Sequence, residues 1–252
     1  MTMVGIVVVS HSRRLAEAAV ELALEMVTGE RPPIAIAAGT QDGGTGTDAA
    51  KVADAIAEVS TGGGVLVIMD LGSAVLSAGL ALEFLQDPSI DVRLSSGPFF
   101  EGLQSAVVLA AVGASLDEVE REAAGALSAK QAQLRESPNA ASAVESPVVE
   151  PPVVEPVETP DVTADVTLVN PDGLHARPAA ALVAAVSGLA ARVTVTNLRS
   201  GAGPGSASSP IALATLAARQ GDRLRIDASG AEAAEAVEAV RRLVAEGFGE
   251  EP

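Results

Sequence analysis

The chain alternates short β-branched runs with stretches whose apolar residues recur at about a 3.6-residue period. Val4 to Val9 reads as a strand that breaks at Ser10-His11-Ser12, and Leu15, Ala18, Ala19, Leu22 and Met26 line one face of a following helix. Further strands are expected at Ile34 to Ala37, Val65 to Met69 and, more weakly, Asp91 to Leu94. Helices are expected over 49–59, 74–85, 102–113 and 116–130, and a Gly/Thr-rich loop from Gly39 to Asp48. Repeated strand–helix units over residues 1–130 imply an α/β fold, a doubly wound parallel sheet with helices on both faces. Ligands of such sheets bind beyond the carboxyl ends of the strands. His11 and Asp70 both fall at such ends.

The pattern changes abruptly over 131–161, where Ser-Pro, Val-Val-Glu-Pro-Pro and Val-Val-Glu-Pro recur without helical or strand period. Proline and like charges oppose collapse, so this stretch is expected to be an extended, disordered tether. At about 3.1 Å per residue it would reach on the order of 90 Å. Periodicity returns over 162–252. Strands are expected at 162–169, 191–196 and 222–228, and a weak one near 200–208. A helix is expected to follow His175 to about Ser187, a short one to run from Ile211 to Ala218, and a long one from Ala231 to Glu246. That order fits a small α+β open-faced sandwich, with helices on one face of an antiparallel sheet.

Composition removes several classes of function. The formal net charge is −17. Residues 1–130 carry 17 acids and 7 bases, 131–161 carry 6 and 1, and 162–252 carry 10 and 8. No segment is basic and there is no tryptophan or tyrosine to stack on bases, so nucleic acid is not an expected partner. No apolar run approaches the roughly 20 residues of a membrane span, and nothing basic precedes the first strand as a signal peptide requires. With no cysteine there is no disulfide framework and no thiolate metal site. The cytoplasm is the simplest expected compartment.

Candidate chemistry rests on the two histidines, which are all the chain has. Each follows a strand and opens a helix. His175 sits in Asn170-Pro-Asp-Gly-Leu-His-Ala-Arg-Pro178. With His175 at the N-cap, the N–H groups of Ala176 and Arg177 form an anion site. Pro178 is tolerated in that first turn, and the Arg177 guanidinium can grip phosphate oxygens in pairs. For His11 the candidate orienting partner is Asp70, since a carboxylate on one ring nitrogen leaves the other as nucleophile. Asp70 read by itself serves equally well as an N-cap of the next helix. Thr47, Gly72 and Ser73 are candidate N–H and hydroxyl donors to a phosphoryl group, with Gly46 beside Thr47. No Gly-x-x-x-x-Gly-Lys-Ser/Thr loop and no metal-type cluster of acids and histidine is present, so neither a bound nucleotide, a cofactor nor a metal is expected.

Residues 162–248 resemble HPr, the small phosphocarrier of the bacterial phosphoenolpyruvate-dependent phosphotransferase system. Gly173-Leu-His-Ala-Arg-Pro-Ala179, Ser209 before Ile211-Ala-Leu-Ala-Thr-Leu216, and Asp227-Ala-Ser-Gly230 carry that likeness. It implies that His175 accepts phosphate from enzyme I and that Arg177 stabilises it. Ser209 falls where some HPr proteins carry a regulatory serine, but Pro210 departs from the usual pattern and regulation is not carried over.

Residues 3–130 resemble the mannose-family enzyme IIA fold and, more closely, the DhaM phosphotransferase subunits of dihydroxyacetone kinase. The matching stretches are Val7-Val-Val-Ser-His-Ser12, Ala35-Ile-Ala-Ala-Gly39, Gly46-Thr-Asp-Ala49, Met69-Asp-Leu-Gly-Ser-Ala74 and Pro98 through Gly102. The resemblance implies a phosphorylated His11, Asp70 as its partner, and a homodimer. It implies a relay from enzyme I to His175 to His11 and on to ADP held by the kinase subunit DhaL, which phosphorylates dihydroxyacetone bound to DhaK. Some members continue into an enzyme I-like domain; with this sequence ending at Pro252, loading by free enzyme I is the expectation. The alternatives are a fused IIA–HPr component of a mannose-type sugar transporter and a regulatory module that uses phosphohistidine as a signal.

Overall fold

The computed structural model describes residues 2–27, 29–40, 44–135 and 161–249. The chain divides into two compact units, Met1–Leu127 and Ser128–Pro252. In the first, β1 (Gly5–Ser10), β2 (Ile34–Ala38), β3 (Val65–Met69) and β4 (Val92–Leu94) form one parallel sheet in the order β2-β1-β3-β4. Between and after them run α1 (Arg13–Leu24), α2 (Ala49–Val59), α3 (Ser73–Phe84), α4 (Phe99–Ala111) and α5 (Leu116–Gly125). The central strands β1 and β3 are buried from end to end, as near-continuous apolar runs in a two-faced parallel sheet must be. Val7, Val9, Val67 and Met69 face α2 and α3, packing on Val52, Ile56, Val59, Ala74 and Ala78. Helix α4 packs on both α1 and α5, and α4 and α5 also pack against β3. The doubly wound expectation is met.

Strand order places the functional end of the sheet. The chain passes from β1 to its neighbour on one side, then returns to lay β3 on the other. The two connections diverge at the carboxyl ends of β1 and β3, the crevice where doubly wound sheets take ligands. Register pairs Val9 with Met69, and Asp70 N–H donates to the Val9 carbonyl at 3.0 Å. Residues 10–11 and residue 70 are thereby set side by side.

The second unit contains β5 (Val162–Thr167), α7 (Ala176–Val186), β6 (Arg192–Asn197), β7 (Gly205–Ser206), α8 (Pro210–Ala214), β8 (Arg223–Ser229) and α9 (Ala233–Ala245). Helix α6 (Leu127–Arg135) spans the boundary between the two units and precedes these elements in the chain. The four strands form an antiparallel sheet in the order β5-β8-β6-β7. Burial alternates along β8, with Leu224, Ile226 and Ala228 inside and Arg223 and Arg225 outside. Helix α9 covers the inner face through Ala236, Val237, Val240 and Val244, and α7 packs against it. The outer face carries Asp165 bonded to Arg223 at 2.8 Å and Arg225 at 3.2 Å. This is the open-faced sandwich expected from the sequence.

The differences are local. One helix was expected over 116–130, but two occur, separated at Ala126. Helix α6 continues to Arg135, five residues into the expected tether, because 127–135 contains neither proline nor glycine to stop it. The rest of the expected tether, 136–160, lies outside the described residues. The weak strand expected near 200–208 is the two-residue β7.

Candidate functional site

His11 stands at the mouth of the parallel sheet because β1 stops at Ser10 and α1 starts at Arg13, with Ser12 as N-cap accepting from Leu15 N–H at 3.3 Å. A carboxylate fixes the ring. Asp70 Oδ1 lies 2.9 Å from His11 Nδ1, while Oδ2 accepts from the His11 backbone N–H and the Ser10 hydroxyl, each at 2.9 Å. An ionised carboxylate only accepts, so Nδ1 carries a hydrogen, and in the neutral ring the lone pair is on Nε2. Ser73 Oγ, at the first position of α3, is 2.7 Å from Nε2, where it donates to the neutral Nδ1–H ring. Thr47 Oγ1 donates to Ser73 Oγ at 3.0 Å and lies 2.9 Å from Ser77 Oγ. The His11 side chain is about one-third exposed and Asp70 is 14% exposed. The ring is thus part-exposed while the carboxylate that orients it is shielded.

The expected phosphate donors divide. Ser73 reaches Nε2 directly, and Thr47 stands behind it, bonded to the Ser73 hydroxyl. Gly72 is the N-cap residue of α3 at φ +63°, and the adjacent Ser73 N–H lies in the first turn, where no intrahelical carbonyl can reach it. Gly46 differs from expectation, because its N–H bonds the His11 carbonyl at 3.0 Å and holds the loop instead. Arg13 pairs with Glu17 at 2.8 Å. Sequence reasoning passed over Ser10 and Ser77. Ser77 was detectable as the residue one turn after Ser73 on the same helix face.

His175 is half-buried as the N-cap of α7, in extended backbone conformation, with Ala176 and Arg177 exposed beside it. Pro178 has no N–H and Ala179 N–H bonds the His175 carbonyl at 2.9 Å. The first-turn donors lacking an intrahelical acceptor are therefore Ala176 and Arg177. The preceding loop is rigidly set. Leu174 N–H bonds the Ala218 carbonyl at 2.8 Å, and Asn170 Nδ2 donates to the Gly173 carbonyl at 2.7 Å. Gly173 sits at φ +72°, and a Cβ there would overlap the Ala218 carbonyl oxygen and lie 2.7 Å from Arg219 Cα. Segment 216–222, on which the loop rests, is pinned in turn. Buried Asn197 donates to the Leu216 carbonyl and to Asp222 Oδ2, both at 3.2 Å, and Asp222 Oδ2 accepts from Arg219 N–H at 3.0 Å. Replacing Gly173 with alanine is expected to destabilise the unit by about 1–3 kcal/mol through positive φ and overlap. Thermal unfolding of the full chain, with a shifted His175 ring resonance, would measure it.

Ser209 caps α8, accepting from Ala212 N–H at 2.9 Å. Among the described residues no group of three or more acidic or histidine side chains is placed to hold a metal, and no helix is long and apolar enough to cross a membrane.

Family models match the two units separately. Residues 5–120 match the PTS system fructose IIA component, the EIIA-man family, and residues 162–246 match the PTS HPr component phosphorylation site. Across both, the chain is 42% identical over 257 residues to the phosphoryl donor subunit DhaM of the PEP-dependent dihydroxyacetone kinase of Pantoea ananatis, and 40% identical over 251 residues to that of Escherichia coli. These alignments cover 99% and 98% of this chain but 51% of each relative, so the chain spans about half their length. A shorter subunit of the same name, from Listeria innocua, is 36% identical over 121 residues; the match covers 48% of this chain and 96% of that one.

Proposed function

Because the chain belongs to the DhaM family of phosphoryl donor subunits, we propose that it relays a phosphoryl group from enzyme I to His175, from His175 to His11, and from His11 to ADP on the kinase subunit DhaL. Dihydroxyacetone bound to DhaK is the final acceptor. The observation that carries this reading is the His11 ring, held by Asp70 2.9 Å from Nδ1 with Nε2 turned to Ser73 at 2.7 Å.

The transfer balances without a proton leaving the nucleophilic nitrogen. The Nε2 lone pair forms a bond to phosphorus as the bond from phosphorus to the His175 ring breaks, and that electron pair returns to His175. The His11 ring becomes cationic because Nδ1 keeps its hydrogen, and the Asp70 carboxylate 2.9 Å away neutralises it. Ser73 turns its hydroxyl from Nε2 to the arriving phosphoryl oxygens, joined by Thr47 and by the N–H groups at the start of α3. At His175, Arg177 and the N–H groups of Ala176 and Arg177 hold the same group before transfer. Catalysis here is positioning and charge neutralisation.

To test the reading, phosphate labelled in phosphoenolpyruvate is passed through enzyme I onto the full chain. ADP-loaded DhaL or a mannose-type IIB domain is then added. Removal of label by DhaL supports the relay; removal by IIB alone reassigns the chain to sugar transport.

Helix α3 supports a homodimer. Its inner side is alanine, with Ala74, Ala78 and Ala81 fully buried, while Val75, Leu76, Leu80 and Phe84 are exposed and Leu71, just before it, is 79% exposed. An apolar face of that extent on an acidic unit fits a second copy of the same face. Leu76→Asp, at a position 75% exposed, is expected to leave folding intact and halve the mass in sedimentation equilibrium. An unchanged mass would remove α3 from the interface.

A further inference from the structure

We infer that Ser10 is a positioning residue that fixes the tautomer of His11, and so selects the ring nitrogen that takes the phosphoryl group. The inference rests on the reading of His11 as the phosphoryl acceptor and names a further residue of that site.

Ser10 ends an otherwise apolar strand, Gly5-Ile-Val-Val-Val-Ser10, and is fully buried. A buried hydroxyl that neither packs as well as valine nor reaches water is unfavourable unless it bonds. Here both of its capacities are engaged. Ser10 Oγ accepts from Ser12 N–H at 3.2 Å and donates to Asp70 Oδ2 at 2.9 Å. With the lone pair turned to Ser12, the hydroxyl hydrogen points at the carboxylate.

That direction determines what Asp70 does. Oδ2 receives two hydrogens, from Ser10 Oγ and from His11 N–H, which leaves Oδ1 for the ring. Two donors on one oxygen define the carboxylate plane, whereas the single backbone donor allows it to rotate. A rotated carboxylate holds Nδ1–H less well, and the ring then exchanges to the tautomer with hydrogen on Nε2 and the lone pair turned inward. Ser10 touches neither phosphorus nor Nε2. Its effect passes entirely through Asp70.

The measurement is ¹⁵N NMR of histidine-labelled full chain without phosphate, where tautomers are read from the ring nitrogens. Two histidines are present, and His11 is assigned by comparison with the His175→Gln protein. The unsubstituted protein is expected to show one Nδ1–H tautomer. Ser10→Ala is expected to show exchange between both tautomers, with phosphoryl arrival at His11 slowed on the order of tenfold, the factor a hydrogen bond to a charged group commonly carries. Ser10→Thr, which keeps the hydroxyl, is expected to restore the single tautomer. A single Nδ1–H tautomer in Ser10→Ala overturns the inference whatever the rate, as does failure of a folded Ser10→Thr to restore it. The tautomer is read without enzyme I or any acceptor, so failure of the relay reading leaves this result interpretable.

Discussion

The chain carrying His175→Ala is expected to accumulate no phosphate on His11 when supplied with phosphoenolpyruvate and enzyme I. A loss of at least about 10³-fold is expected, as when a nucleophile is removed outright. Phosphorus needs a lone pair to bond to, and alanine has none. His11→Ala is expected to behave oppositely, with His175 taking up label at the normal rate and passing none to the kinase subunit. The pair of outcomes gives the order of the relay. Tethering donor and acceptor in one chain raises their mutual concentration to roughly millimolar, so mixing the two variants should restore transfer more slowly than in the unsubstituted chain, at a rate that rises with their concentrations. The assay must lack any other HPr, which would load His11 directly. Normal loading of His11 in His175→Ala would sink the proposed order.

Much of this arrangement can be read from the sequence because local and global signals agree. Val4 to Val9 and Val65 to Met69 are continuous apolar runs, which only a two-faced sheet can bury. The residues that follow them, His11 and Asp70, are then neighbours by topology alone. The His175 motif stands out because the histidine, the free first-turn N–H groups and the arginine lie in consecutive residues. The less legible parts depend on three-dimensional placement. Nothing local says that Gly46 N–H bonds the His11 carbonyl while Thr47 contributes its hydroxyl, for both are equally polar on paper. Ser10 reads as a strand terminator until Asp70 is set beside it. The division of 116–130 into two helices turns on the backbone at Ala126, where no proline marks a break.

Asp70→Asn is expected to reduce phosphoryl transfer through His11 by about 10²–10⁴-fold, the range associated with a wrong tautomer in a histidine–carboxylate pair. The amide has one acceptor oxygen where the carboxylate has two. Ser10 Oγ–H and His11 N–H both point at the Oδ2 position, and only the His11 ring faces Oδ1. Two donors outweigh one, so the amide oxygen takes the Oδ2 position and the NH₂ group faces the ring. Nδ1 must then accept, the ring hydrogen moves to Nε2, and the nucleophilic lone pair is lost. The cationic phosphorylated ring also loses its counter-charge. Asp70→Ala removes the carboxylate without imposing the wrong tautomer, so it is expected to be no worse than Asp70→Asn despite being the larger truncation. Rapid-quench transfer from phosphorylated His175 would rank the three proteins. The carboxylate caps nothing in α3, whose N-cap is Gly72, so if Asp70→Asn transferred at nearly the unsubstituted rate, or well above Asp70→Ala, the proposed action of Asp70 through the imidazole tautomer would be wrong.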